Sequence, residues 1–414
     1  MNKLDHGELI IFLCSLSLML ISSRVLAELG KKWKLPLVMG ELIVGIILGP
    51  SVFGMLFPDS FSTIFPSTGN VPVAMDGLIS LSVVLLLFVA GMEVQLPQLL
   101  KQGKVAMFTS TFSMVIPFFT GFLTAHFFPG FFGLPDDGPN NFYFALFLGT
   151  ALSISALPVI ARILMDLNLF RSKIGMVIIA SAMFNDLVGW IIFTVILSLF
   201  RKTGDNGSVW YTIIAILGFG LFMLTLGKKI IDRILPWIQN KISWPGGVLS
   251  FAFSLCLISA AFTEAIHLHA ILGAFIAGIA VGDSVHLHEK AREIIHQFIT
   301  NFFAPLFFVS IGIKVNFIEN FDLGIVLFIC LLAYFGKLTG ASLGAWWGGM
   351  TGREALAVGF GMNARGAMEI ILGTLAFNEG LINSQVYVAL VIMALVTSIT
   401  SGPFIKKFSG VNPA

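Results

Sequence analysis

Charge is what this chain most lacks. Only 11% of its 414 residues are Asp, Glu, Lys or Arg, where an ordinary soluble domain carries roughly a quarter. Tyrosine is scarce beside phenylalanine, four against 41, an aromatic balance suited to hydrocarbon rather than water. With 57% apolar residues and a mean hydropathy of +0.95, no soluble domain of this size could hide its apolar surface. Cysteine is also rare. Cys14, Cys256 and Cys330 each sit inside an apolar run, which excludes a disulfide framework or cysteine metal site and leaves three small hydrophobes. No basic stripe with interleaved aromatics marks a nucleic-acid surface. No Walker-type glycine loop marks a nucleotide-driven pump, and no constellation of side chains marks an enzyme or a resident cofactor. No stretch reads as a separate soluble domain, so any regulatory subunit would be another chain.

What is present is a series of long apolar runs without apolar–polar alternation. Lipid offers no partner to backbone polar groups, so spanning segments are helices or closed barrels, and runs of about 17–25 residues have the helical length. They fall near 8–28, 35–53, 74–95, 104–129, 141–164, 172–200, 208–235, 246–264, 268–284, 298–315, 323–347, 353–377 and 383–405. Turn residues and charges break them at 30–34, 135–139 and 204–207. The reading is an all-α polytopic membrane protein of about thirteen transmembrane helices forming one transmembrane domain, 8–405. Only Lys3 precedes the first run and no small-residue cleavage site follows it, so that run reads as a retained helix.

Thirteen spans put the termini on opposite sides. Seventeen Lys and Arg fall in one set of loops, among them Lys31, Lys104, Arg233 and Lys407. Four, Lys3, Arg201, Lys202 and Lys314, fall in the other. The bias places the C-terminus in the cytoplasm and the N-terminus outside, in an inner or plasma membrane. A miscounted helix would scramble this split.

Ionisable groups within the spans are costly in lipid and usually functional. Four lie near mid-depth: Asp186, Lys337, Arg365 and Glu369. Arg24 and Glu93 lie near span ends, where they snorkel. Asp186 follows Asn185 in Ser181-Ala-Met-Phe-Asn-Asp-Leu-Val-Gly-Trp190. A carboxylate held out of water binds a desolvated hard cation or a proton, and the two compete. The alternative is a helix–helix hydrogen bond with Asn185. Lys337 reads equally as a counter-ion of that site or as a structural cation bonded to helix carbonyls and Asn185. Arg365 and Glu369 are four apart and share a helical face, as a structural clamp.

Two spans carry backbone breakers at mid-depth. The fifth holds Gly149-Thr-Ala-Leu-Ser-Ile-Ser-Ala-Leu-Pro158, with Ser153, Ser155 and Pro158 in or beside the unwound stretch. The twelfth holds Gly359-Phe-Gly-Met-Asn-Ala-Arg-Gly366, with Asn363 and Gly366 in the same role. Lipid tolerates such breaks only where protein or a cavity covers the freed groups. The fifth of the first six spans matches the fifth of the last six, so six spans, one linker and six spans give two inverted repeats with the binding site at the breaks. His267 with His269, and His286 with His288, stand at span ends without the i, i+4 spacing of a helical metal pair. Trp346 and Trp347 read as interface anchors. The run Gly273-Ala-Phe-Ile-Ala-Gly278 suggests close helix packing, with a dimer contact as one place for it.

At these motifs the chain resembles the monovalent cation:proton antiporter-2 family, especially the branch of the plant CHX cation/proton exchangers. The most specific pieces are Ala151 to Leu164, Ser181 to Trp190, Phe262 to Phe275, Pro305 to Lys314, Gly336-Lys337 and Met362 to Glu369. The resemblance implies the sodium/proton antiporter fold, with crossed unwound helices five and twelve and a homodimer. It implies a dimerisation part of about 8–95 and 246–315, a transport part of about 104–200 and 323–405, and a linker helix of about 208–235. Asp186 takes the place of the essential aspartate, Asn185 of its partner, and Lys337 of the basic residue facing them. The Asn-Asp form resembles that of electroneutral relatives. The expected function is exchange of Na⁺ or K⁺ for H⁺ in pH homeostasis. The alternatives are a cation channel or efflux pathway on the same scaffold, and an organic-anion symporter, which would need a roomier polar cavity.

Overall fold

The computed structural model describes residues 4–31, 37–94, 103–135, 138, 140–167, 169–170, 172–201, 209–242, 244–266 and 268–409. The expected breaks at 30–34, 135–139 and 204–207, and His267, lie wholly or partly outside these residues. Among the described residues there are helices and no strand. In chain order they are α1 (His6–Lys31), α2 (Leu37–Leu48), α3 (Phe53–Leu56), α4 (Pro58–Ile64), α5 (Asn70–Glu93), α6 (Lys104–Phe127), α7 (Asn141–Ser153), α8 (Leu157–Asp166), α9 (Lys173–Arg201) and α10 (Val209–Phe222). There follow α11 (Lys228–Lys241), α12 (Gly246–Ala265), α13 (Ala270–Gly282), α14 (Glu289–Phe298), α15 (Ala304–Lys314), α16 (Leu323–Trp347), α17 (Gly352–Met362), α18 (Ala367–Asn378) and α19 (Ser384–Ser409).

Ten helical stretches are long and apolar enough to cross a bilayer, and α17 with α18, bent by 45°, makes an eleventh. The expected count of thirteen differs from this by α7, broken from α8 after Ser153, and by the short α13, both under the length of a full span. Two spans run longer than expected. Single π turns at Met223–Gly227 and Ile299–Phe303 carry the helix through, so α10 continues into the amphipathic α11 and α15 is preceded by the amphipathic α14. Polar helix ends of this kind are invisible to a search for apolar runs.

Large apolar side chains such as Leu217, Leu331 and Phe335 point outward and are exposed. Lipid is the solvent that makes this arrangement stable. Inside the bundle, hydrophobic burial gives little reason for one helix to prefer another over lipid, so small residues that allow close approach do the sorting.

The chain divides into two compact units. The first comprises Met1–Val94 and Trp210–Asn320, and so includes the segment expected to be a linker. Its helices close on glycines: a methyl group at Gly278 of α13 would stand 2.1 Å from the Phe88 carbonyl oxygen of α5. The small-residue run 273–278 is thus spent inside this unit, with Gly273 equally tight against the Ser259 carbonyl of α12.

The second unit comprises Gln95–Val209 and Phe321–Ala414. Its spine is the contact of α16 with α6. Gly336, Gly340 and Gly344 form a stripe along α16, and a methyl at Gly340 or Gly344 would meet the carbonyl oxygen of Phe112 at 2.5 Å or of Phe108 at 2.4 Å. This approach carries Lys337 of α16 to the middle of α6. At the start of α17, Thr351 and Glu354 form a capping box, with Thr351 N–H donating to Glu354 Oε2 at 2.9 Å.

Gly340→Ala is therefore expected to cost about 1–3 kcal/mol, as overpacking does. Gly218→Ala, on an open face of α10 with nothing within 4 Å, is expected to be neutral or to stabilise by up to about 1 kcal/mol. Thermal unfolding of the detergent-solubilised protein orders the two, and equal melting temperatures would contradict the packing argument.

Candidate functional site

Two broken helices meet in the second unit. Helix α7 stops at Ser153, where the side chain turns back to the carbonyls of Gly149, at 2.7 Å, and of Met114, at 3.0 Å. Such side-chain bonding competes with the helical ladder. Ile154 and Ala156 are extended, and α8 then starts with Pro158 in its first turn, where a missing N–H costs nothing. Helix α17 stops at Met362, and α18 restarts after Gly366. The backbone at Gly366 is extended, and a methyl there would stand 2.6 Å from Val159 Cγ2, so the two breaks approach closely where Gly366 has no side chain.

Each break supplies what the other lacks. The Ala156 N–H donates to the Ala364 carbonyl at 3.1 Å, and the Ser155 hydroxyl to the Met362 carbonyl at 2.8 Å. The carbonyls at the end of α7 are met by cations. Arg365 Nη1 donates to the Ala151 carbonyl at 2.8 Å and Nη2 to that of Leu152 at 2.6 Å. Lys337 Nζ donates to the Ser153 carbonyl and, across to α6, to the Ser113 carbonyl at 3.0 Å. Two fully buried positive charges thus sit at the negative end of a half-helix, where its dipole favours them.

Arg365 also donates to Glu369 Oε1 at 2.6 Å, with both side chains buried. Glu369 lies in the first turn of α18, the positive end of that half-helix. Ser398 of α19 donates to the Arg365 carbonyl.

Asn185 and Asp186 lie on α9, which packs on α6 and on α7, and both are buried. The surroundings orient the Asn185 amide. With its oxygen toward Lys337 Nζ at 3.1 Å and Ser113 Oγ at 2.9 Å, its NH₂ donates to the carbonyls of Ser110, at 3.1 Å, and Ser181, at 3.3 Å. The reverse orientation would set an NH₂ group against an ammonium. Asp186, the next residue, is near enough to Lys337 to interact with it electrostatically, as Arg365 and Glu369 are.

Of the expected site residues, Asn185, Lys337 and Ser153 are joined by hydrogen bonds, Arg365 and Glu369 are paired, and Ser155 bonds across the two breaks; Asp186, Asn363 and Gly366 belong to the same elements. Of Pro158, only the place in the first turn of α8 is described. Asn363 is buried, and neither polar atom of its amide has a hydrogen-bond partner among the described residues. His269 caps α13 through Nδ1 and lies in the other unit, as do His286 and His288. Sequence reasoning missed Ser110, Ser113 and Ser398. The polar run Thr109-Ser110-Thr111-Phe112-Ser113 within an apolar span was the available signal.

A family model described as sodium/hydrogen exchanger, transmembrane, matches residues 16–408. The Na(+)/H(+) antiporter NhaS4 of Synechocystis is 30% identical over 415 residues, covering 98% of each chain. The K(+)/H(+) antiporter 1 of Saccharomyces cerevisiae is 30% identical over 96% of this chain, and cation/H(+) antiporter 17 of Arabidopsis thaliana 29% identical over 98%. This chain spans 46% and 49% of those two longer proteins. Among solved structures, the sodium proton antiporter MjNhaP1 of Methanocaldococcus jannaschii matches with a TM-score of 0.65, covering 97% of this chain at 19% identity. That likeness shows a shared fold.

Arg365→Met leaves two buried carbonyls and the Glu369 carboxylate without their cation. It is expected to cost about 3–5 kcal/mol, the range for breaking a buried pair. Arg365→Lys should recover only part, because an ammonium cannot fork to two carbonyls and a carboxylate. Melting curves of the three proteins in detergent check this order; a wild-type melt for Arg365→Met would contradict it.

Proposed function

Because the chain belongs to the sodium/hydrogen exchanger family, we propose that it is a secondary antiporter that exchanges a monovalent cation, Na⁺ or K⁺, for H⁺ at Asp186. The observation that carries this is the fixed charge around one carboxylate. The Arg365–Glu369 pair is internally balanced, and Lys337 is held by two carbonyls and by Asn185. Asp186 is the further buried acid of the site, one residue from Asn185 on α9. The cation is a hard ion that prefers oxygen ligands. Asp186 supplies the anionic one, and the buried amide of Asn363 and the hydroxyl of Ser155 are oxygens of the same constellation. An unsatisfied buried amide costs about 1–3 kcal/mol, so a ligand at Asn363 is favoured on that ground too.

Charge counting supports one-for-one exchange. Asp186, Glu369, Lys337 and Arg365 are the four charged groups of the constellation, two of each sign, and all are buried. A proton on Asp186 and a monovalent cation beside it leave the site with the same net charge. Exchange of one for the other is then electroneutral, and the site faces each side of the membrane in turn.

The second unit takes the transport role and the first that of dimerisation, as a homodimer. Their division along the chain supports the assignment. The asymmetry of Lys and Arg between loops supports a plasma-membrane protein with its N-terminus outside and its C-terminus in the cytoplasm.

Asp186→Asn is expected to abolish cation-dependent proton flux in proteoliposomes carrying a pH dye, while the purified variant keeps its elution volume and melting temperature. In the wild type, proton and cation compete. The half-saturating cation concentration should therefore rise by about tenfold per pH unit once the pH is below the pKa of the site. Flux through the variant, or a half-saturating concentration that stays flat with pH, would contradict the shared site.

A further inference from the structure

Helix α11 continues the span of α10 beyond the depth of hydrocarbon. From Val209 to Lys228 the helix rises about 29 Å at 1.5 Å per residue, close to the roughly 30 Å of a bilayer's hydrocarbon core. The fourteen residues of α11 add about 20 Å more. They begin with Lys228 and Lys229 and end with Lys241, so this helix runs through the headgroup layer.

Its two faces differ. On the inner face, Ile231, Leu235 and Ile238 are buried. Lys228 pairs with Asp283, Ser284 Oγ donates to Asp232 Oδ1 at 2.5 Å, and Gln239 Nε2 donates to the His286 carbonyl at 2.9 Å. These contacts fix the rotation of α11. On the outer face, Ile230, Ile234 and Trp237 are exposed at helical spacing i, i+4, i+7. Lys229, Arg233 and Lys241 are exposed beside them, and none of the three has an ion pair among the described residues.

We propose that this outer face is a binding site for an anionic phospholipid. Lys229 and Arg233, one turn apart, hold the headgroup phosphate with Lys241 beyond them, and the acyl chains run back into hydrocarbon along Ile230 and the exposed Leu226 and Phe222. A free phosphate uses only the cations, and a soluble acidic partner has no reason to sit where the helix leaves hydrocarbon. Basic residues next to a membrane surface attract anionic lipid, and an exposed Trp at this depth is the usual interfacial anchor. The proposal is independent of the exchange reading.

The test is native mass spectrometry of the detergent-purified full chain, titrated with phosphatidylglycerol or phosphatidylcholine. The variant is Lys229→Gln/Arg233→Gln/Lys241→Gln, compared with wild type and with Lys406→Gln/Lys407→Gln, each first shown to keep the wild-type melting temperature. Neutralising a basic residue at the surface reduces anionic-lipid binding by roughly fivefold. The triple variant should therefore lose at least about tenfold in phosphatidylglycerol adducts, with phosphatidylcholine adducts unchanged and the control like wild type. Should all three proteins retain phosphatidylglycerol alike, or should the two variants lose it equally, the site is not on α11. Displacement of the lipid by millimolar inorganic phosphate would overturn the choice of a lipid over a free anion.

Discussion

The second unit depends on one electrostatic arrangement: two buried cations, Lys337 and Arg365, take the place of the missing helix at the end of α7. Breaking a helix inside a membrane strands carbonyls where water cannot reach them, at a cost of several kcal/mol each. Here the carbonyls of Ala151, Leu152 and Ser153 receive Arg365 and Lys337, and the carbonyl of Met362 receives the Ser155 hydroxyl. Glu369 then balances Arg365 while standing at the positive end of α18. The glycine stripe of α16 allows the close approach to α6 from which Lys337 reaches both Ser113 and Ser153.

Commitment of those charges gives the site its chemistry. A lysine and an arginine bound to carbonyls are spent as counter-ions for the backbone. Beside them stands the buried carboxylate of Asp186, one residue from Asn185, with the unsatisfied amide of Asn363 among the elements around it. On this reading the broken helices do more than make room for a cation. They hold a fixed positive field that makes binding of a cation conditional on ionisation of Asp186, and that conditionality couples the two fluxes.

Much of this was legible in the sequence because lipid is an unforgiving solvent. Asp186, Lys337, Arg365 and Glu369 stood out as charges within apolar runs, and Pro158, Gly366 and their neighbours as breakers at matching depths. The pairing of Arg365 with Glu369 was expected from a shared helical face, but Arg365 stands in the break before α18 and reaches Glu369 from there. What stayed hidden was the pairing of each cation with particular carbonyls, because backbone acceptors leave no mark in the side-chain sequence. Ser113 and Ser398 were hidden for a related reason: a serine in a span more often bonds its own helix, and only the tertiary contact tells these apart. The length of α11 was missed because its amphipathic turns carry Lys and Asp. Glu41, buried in α2, was missed because it stands close to the start of an apolar run, where the pattern suggests access to the surface.

The central claim is that one carboxylate binds either a proton or a cation within a frame of fixed charge. Counting the protons released when a cation binds to the purified, detergent-solubilised protein tests it most directly. In weakly buffered solution with a pH indicator, near the pH at which half the sites are protonated, saturating Na⁺ or K⁺ should release about half a proton per chain. The release should approach one proton per cation bound as the pH is lowered and the cation raised to match. The Asp186→Asn variant should release none. Release that persists in that variant, or that exceeds one proton per cation in the wild type, would contradict the account and move the exchanged proton to another group.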